Sequence, residues 1–402
     1  MNDRIVYSND FIFHGQEPGN RAFHDEWYSI LQIPVESGTG ASFVRMSDCR
    51  NEAGETFSRD RFFELSGILN PAPMYFGCDI GRIQSASWQY FRSFFPAGTR
   101  FVGSELGLDL RRWLVSENYR FVDLWYHPFK LLDDLFFLVG ASDSETYSRL
   151  LRYRVPEDRI RFHARYYQTL LNARHLIERL PIEDGCCLFI GQTYQDKSVQ
   201  DGDRFLSILD RKAKVEELAR RHSRVYFVPH PYAERNDEVE RYLAETPYVT
   251  KLEKVPTYYL LASPKVKTVV SLSSSVLYEA AMFGKKTECL FRPLFDIDGP
   301  FAENAHVSVY GDYFSPSFWN AVFCGGSVEP SDPLMEPDLG KFRDMIGATW
   351  GFRHLGRLER IEARVQSLES FRRSVQSSKR QPVVGIMGRF RAAIRGFLGK
   401  GN

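Results

Sequence analysis

The feature that most constrains this chain is a pattern met three times between residues 183 and 345. A short run of β-branched, aromatic or cysteine residues breaks into a polar turn, and a stretch with helical spacing follows. The runs are "CCLFIG" from Cys186, "RVYFVP" from Arg224 and "KTVVSLS" from Lys267. Each is short and rich in β-branched or aromatic residues, as a buried strand is. "FLSILDRKAKVEELARRH", between the first two runs, has the spacing of a helix. Strand, helix and strand in succession need crossover connections, which are right-handed and build a parallel sheet. The fold class is therefore α/β.

The amino-terminal half repeats the alternation in a more aromatic form. "TRFVGSELG" reads as a strand ending at Ser104 and Glu105, "LDLRRWLVSENY" as a helix, and "RFVDLWYHPF" as a strand that gives way at His127-Pro128. A chain of 402 residues exceeds what one core organises. We expect two domains, residues 1–180 and 181–345, then helices over 346–378 whose charges in "RLERIEARVQSLESFRR" are spaced for a solvated face.

Residues 379–402 differ from the rest. Lys379, Arg380, Arg389, Arg391, Arg395 and Lys400 stand there with no acid, and Ile386, Phe390, Ala393, Ile394 and Phe397 fall on one helical face. A basic amphipathic tail of this kind suits an anionic membrane surface or a docking partner, and a frayed terminus fits the same composition. The formal net charge is +1, so the remainder of the chain is near −5 and offers no global basic field for nucleic acid. Cys49, Cys78, Cys186, Cys187, Cys289 and Cys324 form no C-x-x-C pair, and we expect reduced core residues. No apolar run of about eighteen residues and no basic-then-apolar leader occurs. The expectation is a cytoplasmic protein, not membrane-spanning, with the tail as its contact with the inner membrane surface.

In parallel α/β sheets, ligands bind beyond the carboxyl ends of the strands, and the unusual polar residues fall there. "CCLFI" is followed by Gly191, Gln192, Thr193, Asp196, Lys197 and Ser198; "RVYFV" by Pro229, His230, Pro231 and Tyr232; "KTVVSL" by Ser273, Ser274 and Ser275, with Glu279 one turn on. Serines opening a helix offer donors to a phosphate beside the positive end of the helix dipole, or they simply cap the helix. His230, fixed between two prolines, can donate to the same phosphate or be a satisfied loop residue. Asp196 serves as nucleophile or general base, or as a turn former. Glu279 can accept from ribose hydroxyls or a base. The chain lacks G-x-x-x-x-G-K-[ST], G-x-G-x-x-G after a strand and G-x-S-x-G, which disfavours ATP hydrolysis, dinucleotide redox chemistry and serine hydrolysis. A D-x-D pair placed to hold a metal is also missing, so a nucleoside monophosphate leaving group, neutralised by histidine and hydroxyls with no metal and no cofactor, fits best.

"PHP" after one strand and "SLSSSVLYEAAMFGK" after the next resemble the nucleotide-binding motifs of bacterial transferases that use CMP-activated ulosonic acids on a GT-B scaffold of two Rossmann-type domains facing a central cleft. "GQTYQDKS" is similar to the Gly-Gln-x-x-x-Asp-x-Ser motif of the retaining β-Kdo transferases, glycosyltransferase families 99 and 107, and "VGSELG" and "YHPFKLLDDLFF" resemble family 99. The likeness spans about residues 100–350. It implies transfer of Kdo from CMP-Kdo to a lipid-linked or oligosaccharide acceptor of lipopolysaccharide O-antigen or capsule. Asp196 would form a covalent glycosyl adduct, with the amino half as acceptor side and the second domain as donor side. It implies CMP binding by His230, Ser273, Ser274, Ser275 and Glu279, and donor-sugar contacts from Gln192, Thr193, Lys197 and Ser198. Glu105 and His127 are expected to activate the acceptor. Where relatives often carry Lys before His-Pro, this chain has Pro229, which removes a charge near the phosphate. Two other readings stand beside this one: a CMP-sialic acid or other nonulosonate transferase, inverting, with Asp196 as base, and a non-catalytic nucleotide- or glycan-binding module.

Overall fold

The computed structural model describes residues 3–12, 18–68, 80–129, 136–194, 196–202, 204–230, 233, 235–252 and 255–327. The chain divides into one unit, Met1–Ala348, which holds every described residue, and a second, Thr349–Asn402. The helices expected over 346–378 and the basic tail lie outside the described residues.

The first unit is built on two sheets. Strands β1 (Arg4–Asn9), β2 (Ser42–Arg45), β3 (Arg100–Ser104), β4 (Arg120–Tyr126) and β5 (Phe136–Ala141) begin the first. The second uses β6 (Cys186–Ile190), β9 (Val225–Val228), β10 (Val249–Lys251), β11 (Val266–Ser271) and β12 (Lys286–Cys289), while β7 (Gln200–Asp201) and β8 (Arg204–Phe205) form a separate hairpin. The chain then returns, and β13 (Asp296–Ile297) and β14 (Ala305–Tyr310) complete the first sheet in the order β13-β14-β5-β4-β3-β1-β2. The two lobes are Rossmann-type and the architecture is GT-B-like, as expected. The boundary at 345 is corrected: the second sheet ends at β12, and β13 and β14 belong to the first lobe. The reason is that β14 pairs antiparallel with the outer edge of β5, His306 opposite Gly140 through Tyr310 opposite Phe136, which covers an edge otherwise open to solvent.

The strands form where the sequence alternates buried side chains between two covered faces. Ile5, Val102, Val122 and Leu124 enter one core, and Val6, Phe101 and Phe121 enter the opposite one. The second core is dominated by aromatics, with Phe57 in edge contacts with Phe91, Phe94 and Phe95, each worth about 0.5–1.5 kcal/mol beyond burial. In the second sheet Cys187, Phe189, Val225, Phe227 and Val270 share one buried face. Cys49, Cys186 and Cys187 are buried free thiols, and burial pushes Cys187 up to about 12; Cys289 and Cys324 are exposed, which corrects the expectation of core positions for those two. Among the described residues no helix is long and apolar enough to cross a membrane.

Topology decides where ligands gather. In the second sheet, order β10-β9-β6-β11-β12, the chain leaves β6 toward β9 and later returns to its other side as β11. In the first sheet the switch falls between β1 and β3. Crevices open at such points, outside the carboxyl ends of the two diverging strands.

Candidate active site

At the second-lobe switch the polar residues that follow β6 and β11 bond to one another. Gly191 ends β6 where a side chain cannot fit: its N–H donates to the Val228 carbonyl at 2.8 Å, and a Cβ would meet the Phe227 ring at 2.8 Å. Gln192 then bridges the switch. Its Oε1 accepts from the Ser273 N–H at 3.0 Å and the Ser271 hydroxyl at 3.2 Å, and its Nε2 donates to Ser198 Oγ at 2.8 Å. The Ser273 hydroxyl donates to the Ser198 carbonyl. Two loops distant in sequence are thereby locked together.

That lock corrects two assignments. Gln192 was expected to hold the donor sugar, but both ends of its amide are taken by protein groups. Ser273 was expected to touch phosphate; it is 2 % exposed, its N–H and hydroxyl committed inside the network. Ser274 and Ser275 remain half-buried at the mouth of the helix Val276–Met282, and Ser275 caps no N–H of that helix. Glu279 is buried, its carboxylate accepting from the Tyr258 hydroxyl, so it braces the helix against Thr257–Ala262 instead of facing a ribose.

Asp196 sits on this locked loop. Its Oδ1 accepts the Ser198 N–H at 2.8 Å and its Oδ2 the Thr193 hydroxyl at 3.3 Å. The first bond is a turn-forming contact, and the two together fix the carboxylate's orientation while leaving lone pairs on each oxygen. Thr193 is thus a partner of Asp196. Of Lys197 only the backbone is described. His230, at the end of β9, is half-buried; burial lowers its pKa from 6.5, and the negative charge of Asp196 works against that shift. The two side chains therefore share an electrostatic neighbourhood. Pro231 and Tyr232 lie outside the described residues.

The first-lobe candidates separate. Glu105 stands half-buried at the β3 tip with φ 57°, a left-handed conformation costly for a residue with a Cβ. Its loop is held by two carboxylates: Asp123 Oδ1 accepts the Leu106 N–H at 3.0 Å and Asp10 Oδ2 the Gly107 N–H at 2.8 Å. His127 is 1 % exposed; its Nδ1 accepts the Phe129 N–H at 3.1 Å, its Nε2 lies 3.2 Å from Ser308 Oγ, and its ring meets that of Tyr278. With both nitrogens engaged inside the protein, it anchors β4 to β14 and to the second lobe. The expectation that it activates an acceptor is corrected.

A cleft opens between the lobes. Asp10, Gly107, Asp109 and Trp125 line it from the first lobe, Ser198, Gln200 and Arg292 from the second. Asp10 was missed in the sequence because nothing marks an aspartate one residue past a short strand; only the topology shows that β1 borders the switch. Beneath the cleft, Asp123 Oδ2 accepts Trp125 Nε1 at 2.6 Å, with Arg111 and His306 also buried against it. His306 comes from β14 and Arg111 from the helix Leu108–Ser116, so the late-returning strand helps set the cleft wall.

The comparisons with known proteins fall on this frame. The model of the alpha-2,8-polysialyltransferase family matches residues 156–291, about a third of the chain. The matched segment starts one residue before the helix Glu157–Ala173 and ends two residues after β12, and it contains Gln192, Asp196, His230 and the serines. Solved structures similar to the chain include Thermosulfurimonas dismutans KpsC, beta Kdo 2,7 transferase, at 13% identity and TM-score 0.37, covering 72% of this chain and 79% of that one. UDP-GlcNAc 2-epimerases also align: that of Methanocaldococcus jannaschii at 13% identity and TM-score 0.27, covering 71% and 83%, and that of Neisseria meningitidis at 12% and 0.29, covering 80% and 90%. No curated protein sequence matches the chain.

Proposed function

We propose that the protein is a glycosyltransferase that moves a CMP-activated ulosonic acid onto a bacterial surface glycan. The observation that carries this reading is the locked pair of loops at the second-lobe switch, which holds Asp196 within electrostatic reach of His230, with Ser275 uncommitted to the helix and Ser274 Oγ accepting the Val276 N–H at 3.3 Å. CMP would lie against His230 and these two serines. The anomeric carbon of the sugar would face Asp196, and the acceptor would enter through the cleft bordered by Asp10, Trp125 and Arg292. Neutralising one phosphate needs no metal in this scheme, so activity should survive EDTA.

With Kdo as donor, the ionised Asp196 attacks the anomeric carbon as the C–O bond to CMP breaks. The acceptor hydroxyl then displaces the carboxylate, losing its proton to a base, for which Glu105 is our candidate. Two inversions retain configuration. The match to the polysialyltransferase model favours a second reading, in which CMP-sialic acid is the donor and Asp196 takes the acceptor's proton in a single inverting step. Assaying CMP release from CMP-Kdo and from CMP-sialic acid decides the donor. An Asp196 peptide heavier by one Kdo residue after rapid acid quench supports the covalent route; turnover of CMP-Kdo at the wild-type rate by Asp196→Asn overturns it. Release of CMP from neither donor, with CMP still bound, would leave a nucleotide-binding module. The lipid-linked acceptor and the tail's contact with the inner membrane belong to the same proposal and await transfer and fractionation assays.

A further inference from the structure

The helix Glu157–Ala173 has two faces, and the outward one is unusual for a helix that only closes a core. Ile160, Ala164, Tyr167 and Leu171 are buried, while Phe162 and Tyr166, one turn apart, are 64% and 63% exposed. At 100° per residue Arg159 and Arg165 flank these two rings on the same side, with Thr169 and Ala173 completing the stripe. Leu176, just beyond the helix, is exposed as well. Of the six exposed large apolar side chains among the described residues, three fall within these fifteen positions, so the exposure is a patch and not scatter.

The charge around the patch has one sign. Residues 152–179 contain seven arginines against Glu157, Asp158 and Glu178. Two of the three acids are already paired, Glu157 with Arg161 at 2.6 Å and Glu178 with His175 at 3.0 Å. Arg152, Arg159, Arg165, Arg174 and Arg179 are exposed around or beyond the aromatic pair. Rings that bury their bodies at a headgroup boundary, ringed by guanidinium groups, complement an apolar surface carrying fixed negative charge.

We propose that this helix face seats the protein on an anionic lipid bilayer, with Phe162 and Tyr166 entering the headgroup boundary and Arg159 and Arg165 meeting lipid phosphates. The seat is a different segment of the chain from the carboxyl-terminal tail and does not depend on the proposed reaction. It is tested with the full chain on vesicles of phosphatidylcholine alone and with a third of phosphatidylglycerol, at low and high salt. Binding is expected only to the anionic vesicles and should weaken with salt. Phe162→Ser with Tyr166→Ser should lower partitioning at least tenfold, and Arg159→Gln with Arg165→Gln by about twenty-five-fold, since each arginine near such a surface is worth about fivefold. Both pairs are exposed, and unchanged thermal melting confirms that the variants fold. The same substitutions are repeated in a full chain carrying Arg391→Glu and Arg395→Glu, which removes the tail's contribution. Binding that ignores the helix substitutions and disappears with the tail substitutions overturns the proposal. So does a concentration-dependent dimer, seen by light scattering, that the aromatic pair controls without any vesicle binding.

Discussion

The tips of the two sheets solve the same problem differently. At the second-lobe switch the polar groups bond sideways to each other, Gln192 to Ser271, Ser273 and Ser198, so the tip is assembled from two loops of the same lobe. At the first-lobe switch the loop Glu105–Gly107 is held from below by Asp10 and Asp123, and Asp123 in turn sits against His306, a residue from a strand that returns after the whole second lobe has been built. One tip is self-contained; the other depends on chain that arrives late. Damage at Asp196 should therefore register in chemistry, and damage at Asp123 in folding.

The sharpest break of this comparison is at Asp196. Asp196→Asn removes the carboxylate and keeps the shape, and should lower turnover at least about a thousandfold with thermal melting unchanged, as read by CMP release and calorimetry. On the other lobe, Asp123→Ala strips a buried carboxylate from Arg111, Trp125 and the Leu106 N–H. It should cost about 3–5 kcal/mol of stability by denaturant unfolding, the range for breaking a buried ion pair. If Asp196→Asn proved the more destabilising of the two, the division of labour would be wrong.

Smaller effects sharpen the boundary. Gln192→Ala leaves the Ser273 N–H and Ser198 unsatisfied and should cost about 1–3 kcal/mol, with Gln192→Glu restoring the acceptor half of the network and part of the stability. Asp10→Asn should leave CMP affinity within twofold while reducing transfer to glycan relative to donor hydrolysis. The smallest effect is a pH slope. Burial holds free His230 below 6.5, and a bound phosphate raises it, so binding takes up a proton in the window between the two values. CMP affinity should rise as pH falls through that window and level off below the free value, and His230→Ala should flatten the slope.

The same contrast explains what could be read from the chain. The second lobe follows from local pattern: apolar runs at Cys186, Val225 and Val266 became three adjacent strands, and their polar followers met. The strand and helix limits around Ser104, Leu108 and Tyr126 were equally plain, because periodicity is a local property. Whether a polar group faces a ligand or a neighbour is not local. Ser273, Gln192, Glu279 and His127 have the chemistry of ligand contacts, yet each has a hydrogen-bond partner between 21 and 181 residues away. Nothing in a one-dimensional pattern shows that β14 rejoins the first sheet, so the cleft wall around Asp10 and Trp125 could not be anticipated.

Titration calorimetry with CMP reads the donor site itself. If Asp196, His230 and the serine loop form one donor site, CMP binds the wild-type chain, His230→Ala weakens it tenfold or more, and Asp196→Asn leaves it within twofold. Failure of CMP to bind, or binding indifferent to His230, would contradict a shared donor site at these strand tips.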